Sequence, residues 1–86
     1  SHMGEVEFTG PKALETVQKI TINDASALEV GQVQYSAMCY PDGGIVDDLL
    51  VYRFAEKYLL VINASNIDKD VAWMQKNKIG GCTVQN

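Results

Sequence analysis

Histidine and cysteine are scarce in this chain, basic residues are outnumbered, and no long apolar run occurs. His2 is the only histidine in 86 residues, which excludes imidazole acid-base chemistry and histidine metal sites for any reaction centre away from that terminus. Cys39 and Cys82, with 42 residues between them, fit no zinc or iron-sulphur ligand spacing and are too few for a disulfide framework, so both read as reduced thiols. Cys39 shares a strand parity with Val33, Tyr35 and Ala37, and is expected to be a buried small hydrophobe. Seven basic residues against 11 acidic ones give a net charge of −4. That balance repels phosphate backbones and anionic headgroups, excluding nucleic acid and membrane as partners. No segment approaches the 18 to 20 apolar residues of a spanning helix. No basic-then-apolar leader precedes the first strand-like segment, so the chain reads as cytoplasmic.

What is present is ordinary globular material, 47% hydrophobic and 21% charged, and one compact unit is the ceiling at this length. A domain this small removes only about 60% of its unfolded surface from water, so its stability depends on what covers the remainder. The run from Glu5 to Thr9 alternates, placing Val6 and Phe8 on one strand face. Gly10 and Pro11 end it, and Ala13, Leu14, Val17 and Ile20 recur at helical spacing, predicting a helix over 11–20. Residues 21–31 read as a polar connection. Gln32 to Tyr40 alternates again, Pro41-Asp42-Gly43-Gly44 supplies a turn, and Ile45 to Phe54 forms a second hairpin strand. This strand is apolar on both parities, as a strand covered on two sides requires. Tyr58 to Asn63 is a further strand. Ser65 and Asp68 resemble a helix cap, and Ile67, Val71 and Met74 form one helical stripe bordered by Trp73. Gly80 and Gly81 stop the helix, and Cys82 to Val84 opens a last strand. The order strand, helix, strand, strand, helix, with that last strand, predicts an α+β fold. It is an antiparallel sheet with two helices on one face, in a ferredoxin-like arrangement.

The adjacent carboxylates Asp47 and Asp48 are the chemical anomaly. Neighbours in a strand point to opposite faces, so each acid joins an apolar one: Asp48 with Val46, Leu50, Tyr52 and Phe54, and Asp47 with Ile45, Leu49 and Val51. Such an acid must be paired, hydrogen-bonded or shifted in pKa, a tension that often marks a functional site. The bland alternative puts both acids at the hairpin mouth, satisfied by solvent or turn amides. Tyr52 lies roughly 13 Å from Asp48 at strand rise, a span a flat ligand bridges, or it is a core aromatic. Pro41 to Gly44 lacks the lysine and following helix of a phosphate loop. Asn63 either caps backbone groups or recognises a heteroaromatic edge. Asp24, Asp42, Asp68 and Asp70 fall at turns or at a helix start, where carboxylates stabilise backbone donors.

The run Tyr40-Pro41-Asp42-Gly43-Gly44-Ile45-Val46-Asp47-Asp48-Leu49-Leu50-Val51-Tyr52 resembles the glycine-glycine, hydrophobic, aspartate-aspartate segment of the aminomethyltransferases (T-proteins) of the glycine cleavage system. The likeness extends through Leu60 to Asn66, Lys69 to Trp73, Thr21 to Asp24 and Gly31 to Tyr35, covering nearly the whole chain. It is greatest to Gram-positive bacterial members. Ser1-His2-Met3 is a tripeptide cloning sites leave behind, yet Ser1 to Val6 also resembles a native stretch of that family.

The resemblance implies that residues 1–86 are a fragment of the folate-binding domain, with upstream and larger downstream parts of the enzyme absent. It implies an intact enzyme that takes the aminomethyl group from the lipoyl arm of the H-protein. That enzyme releases ammonia and delivers the one-carbon unit to tetrahydrofolate, a co-substrate, as 5,10-methylene-tetrahydrofolate, with no metal. The family's catalytic aspartate falls on Asp48, a pterin-side contact on Tyr52, and the strand end lining the folate pocket on Val61, Asn63 and Ala64. Without the remaining clamp residues the fragment is expected to be inactive, and its uncovered strands to promote self-association. Two other readings stand beside this one. The first is a folate-binding domain like those of sarcosine and dimethylglycine dehydrogenases or of a folate-dependent iron-sulphur assembly protein. The second is a non-catalytic ferredoxin-like binding module, which a solvent-exposed, unpaired Asp48 would favour.

Overall fold

The computed structural model describes residues 3–39 and 42–86; the readings placed on Ser1, His2, Tyr40 and Pro41 lie outside them. Strand β1 (Met3–Thr9) leads to helix α1 (Ala13–Ile20). A meander of β2 (Val33–Cys39), β3 (Ile45–Arg53) and β4 (Lys57–Asn63) follows, then helix α2 (Ile67–Asn77) and the short β5 (Thr83–Gln85). The sheet order is β2-β3-β4-β1-β5, with every pairing antiparallel. This is the expected α+β, ferredoxin-like arrangement, with three strands in the meander.

The period-2 pattern sets one layer of the core. Val6 and Phe8 of β1, Leu49 and Val51 of β3, and Tyr58, Leu60 and Ile62 of β4 all turn inward. The helices close over them with Val17 and Ile20 from α1 and Met74 from α2, while Ile67, Val71 and Trp73 pack at the margin. Each such apolar side chain contributes roughly 1.5–3 kcal/mol by leaving water. α1 is also tied to the segment that follows α2, because the buried Thr16 hydroxyl accepts the Ile79 N–H at 3.1 Å.

Four expectations are corrected. The apolar parity of β2 faces outward: Val33 and Tyr35 are exposed and Cys39 is only half-buried, whereas Ser36 and Met38 enter the core. β3 is covered on one face, since nothing in the described residues lies over Leu50 and Tyr52, which stay part-exposed. A register shift between Met38 and Cys39 sets Cys39 opposite Ile45 and Met38 opposite Asp47. The extra residue, Val46, therefore turns inward beside Asp47, and Ile45 is left exposed. Finally, α2 has no side-chain cap: Asn66 holds the N-cap position and Ser65 makes no capping bond. The turn after β2 is as expected at its described end, where Gly43 has φ 93° and Asp42 accepts the Gly44 N–H at 2.9 Å.

Gly4 is buried beneath the start of α2. A Cβ there would stand 2.6 Å from Ile67 Cγ1 and 3.2 Å from Ile62 Cγ1, so the helix seats on β1 only because that position is bare. Gly4→Val is expected to destabilise the chain by about 1–3 kcal/mol through overpacking, read as a lower urea midpoint. An unchanged midpoint would mean that α2 does not rest on β1 in this way.

Candidate functional site

Alternation in β3 sends its two aspartates to opposite faces. Asp48 points to the open face, level with Ala37 of β2. One further step of the β3–β4 register beyond Leu50–Val61 brings Asn63 beside it. Asp48, Val61 and Asn63 line a depression of about 290 Å3 together with Met3, Tyr35 and Leu50. Its floor is apolar, and its polar side-chain groups are the Asp48 carboxylate, the Asn63 amide and the Tyr35 hydroxyl. Asp48 is exposed and makes no side-chain hydrogen bond or ion pair with the described residues. The burial tension foreseen for it is therefore absent, because the face it stands on is uncovered. Tyr52 lies on the same face but one row away, opposite Val33 and Leu59, stacked on Phe54 at 6.4 Å. Ala64 begins the 3-10 turn after β4 and does not line the depression.

Asp47 is the buried acid of the pair. Its Oδ1 accepts the Asn63 Nδ2 at 3.2 Å and its Oδ2 accepts the Asn66 Nδ2 at 3.2 Å. Burial acts to raise its pKa, but hydrogen bonds from Asp70, Asn66 and Asn63 outweigh that and hold it below the ordinary carboxylate value. Asp70 lies beneath it, fully buried, and neither of its carboxyl oxygens receives an N–H or O–H from the described residues. Burial and the neighbouring Asp47 push Asp70 up to about 7, with Lys69 at 4.0 Å opposing weakly from a half-exposed position. The two carboxyls disfavour ionising together, and of the pair Asp70 is the one pushed toward its neutral form. Lys69 also donates to the Val46 carbonyl at 2.9 Å, pinning α2 to the bulge.

Asp70 is thus not the solvated helix-start carboxylate that the sequence suggests, whereas Asp24 and Asp42 do accept backbone N–H groups in turns. A signal for Asp70 is present in the sequence. It falls at i+3 from Ile67 and one residue before Val71, on the stripe that packs inward.

The model of the GCVT N-terminal domain matches residues 1–86. An aminomethyltransferase of Halalkalibacterium halodurans is 60% identical over 87 aligned positions, and one of Bacillus subtilis is 59% identical. Both alignments cover all of this chain and 24% of the relative. A solved structure, the glycine cleavage system aminomethyltransferase T from Bartonella henselae, superposes with a TM-score of 0.92 at 38% identity. It matches 99% of this chain and 24% of that one. The chain therefore spans about a quarter of the length of the relatives it matches.

The raised Asp70 and the lowered Asp47 make stability depend on pH. Asp70 titrates above its ordinary value of 3.8, so its contribution is complete below about pH 4 and is lost as pH rises through about 7. Asp47 is lowered, so its contribution is present above its ordinary value and fails in acid. Asp70→Asn, whose amide donates to Asp47 without titrating, is expected to raise Tm at pH 8 by a few degrees more than at pH 5. Equal shifts at the two pH values in thermal melts would show that Asp70 does not titrate above its ordinary value.

Proposed function

The chain belongs to the GCVT N-terminal domain family, and on that footing we propose that it supplies part of the folate pocket and the reacting carboxylate of a tetrahydrofolate-dependent aminomethyltransferase. The intact enzyme takes the aminomethyl group from the lipoylated H-protein of the glycine cleavage system, releases ammonia, and forms 5,10-methylene-tetrahydrofolate. One observation carries the reading: Asp48, Val61 and Asn63, distant in sequence, share one depression.

The chemistry of those residues fits a pterin. An apolar floor of Leu50 and Val61 suits an aromatic face, and Asp48 and Asn63 offer polar contacts at its edge. At about 290 Å3 the depression takes a bicyclic ring and no more, since ligand pockets span roughly 300–1,000 Å3. Segments of the longer protein must hold the rest, and Tyr52, one row away, is placed to meet the ligand beyond the ring.

In this reading Asp48 is the catalytic residue. A folate amine loses a proton as it attacks an electrophilic methylene, and an ionised carboxylate at that point accepts the proton or stabilises the iminium cation. Its exposure here, the feature expected of a plain binding module, follows from the open face. Val61 and Asn63 form the strand end that borders the ring, and Ala64 follows them in the turn outside the depression.

Asp48→Asn in the full-length protein is expected to lower kcat by about 10²–10⁴-fold with tetrahydrofolate affinity retained. Wild-type turnover in that variant would remove Asp48 from the mechanism. The 86-residue chain by itself is expected to give no turnover and no micromolar tetrahydrofolate binding; calorimetry that finds such binding would contradict this. Because Tyr35, Val33, Ile45 and Met3 are exposed on the described surface, the isolated chain is expected to self-associate, and a monomeric sedimentation profile at high concentration would count against it.

A further inference from the structure

Asp47 meets two amides at the mouth of the β2–β3 hairpin, and the donor inventory leaves one arrangement. An ionised carboxylate has acceptors only, so each asparagine that touches it must present its NH2 group. Asn63 reaches Oδ1 and Asn66 reaches Oδ2, both at 3.2 Å. If the Asn63 amide turned over, two acceptor oxygens would face each other with no proton between them. Asp47 cannot swing aside, because Asn66 holds its second oxygen and the fully buried Asp70 backs it. The Oδ1 of Asn63 accepts no hydrogen bond from the described residues, and Asn63 lines the depression that contains Asp48.

The geometry points to Asp47 as a positioning residue that locks the Asn63 amide so that its carbonyl oxygen faces the ligand. The inference rests on the reading of that depression as the folate pocket. With Asp48 also an acceptor, the carboxylate and the amide then select the same thing, an edge of the heterocycle that carries N–H donors. A ligand whose facing edge carries only acceptor nitrogens is rejected, since both pocket groups stay unpaired beside it.

The test is a double-variant cycle in the full-length protein, with tetrahydrofolate dissociation constants read by calorimetry. Asn63→Ala and Asp47→Asn are each expected to weaken binding by on the order of tenfold, the scale of one hydrogen bond. The double variant is expected to bind no more weakly than Asn63→Ala, because Asp47 acts only through that amide. Unchanged affinity in Asn63→Ala would overturn both the pocket reading and this inference. A loss in Asn63→Ala with none in Asp47→Asn, or losses that multiply in the double variant, would overturn the inference and leave the pocket reading standing. A second measurement needs no variant at position 47. In NMR spectra of the wild-type protein, tetrahydrofolate is expected to shift the Asn63 Cγ resonance while the Nδ2 proton bonded to Asp47 holds its position. Release of that proton on binding would overturn the proposal even if Asp47→Asn does not fold.

Discussion

Two adjacent carboxylates in one strand cannot share a face, and the structure around β3 is organised by that constraint. Whichever of them turns toward the helices must find donors in a place water does not reach. Asp47 is that residue, and three neighbours supply them. Asn63 gives an amide from the end of β4, Asn66 gives another from the turn before α2, and the Asp70 carboxyl, raised in pKa beside Asp47, adds to them when protonated. These partners come from separate elements, so satisfying one buried charge also fixes the end of β4 and the start of α2 relative to the hairpin. Asp48, released from any such need, stands free on the opposite side.

That division separates structure from chemistry within two residues. The inward acid is held ionised, hydrogen-bonded and unreachable. The outward acid meets no partner within the described residues, which leaves its carboxylate open on that face. Asn63 links the two, because it gives its NH2 to the buried acid while bordering the depression of the free one.

Much of this is legible in the sequence. Alternation and turn residues locate every strand within a residue or two, and the glycine-rich segment before Ile45 reads correctly as a hairpin turn. Of the site residues the resemblance implies, Asp48, Val61 and Asn63 line one depression, whereas Tyr52 and Ala64 lie outside it. What escapes has physical causes. In β2 the more apolar parity faces outward, a pattern that burial logic inverts, because nothing among the described residues covers that face. The parity of Ile45 and Val46 is misleading because a bulge adds one residue, and strict alternation makes no allowance for it. Asp70 looks solvated for being charged near a helix start, although its place on the Ile67–Val71–Met74 stripe points inward.

The order of the sheet carries a kinetic consequence. β1 sits between β4 and β5, pairing Met3 with Asn63 and Phe8 with Val84, so its partners come from the far end of the chain. Contacts of such wide sequence separation demand loop closure before any reward, and sheets built this way assemble late and cooperatively. During synthesis, β1 must wait unpaired until the meander and then the last strand have left the ribosome, and the Asp47 carboxylate cannot meet Asp70 before α2 forms.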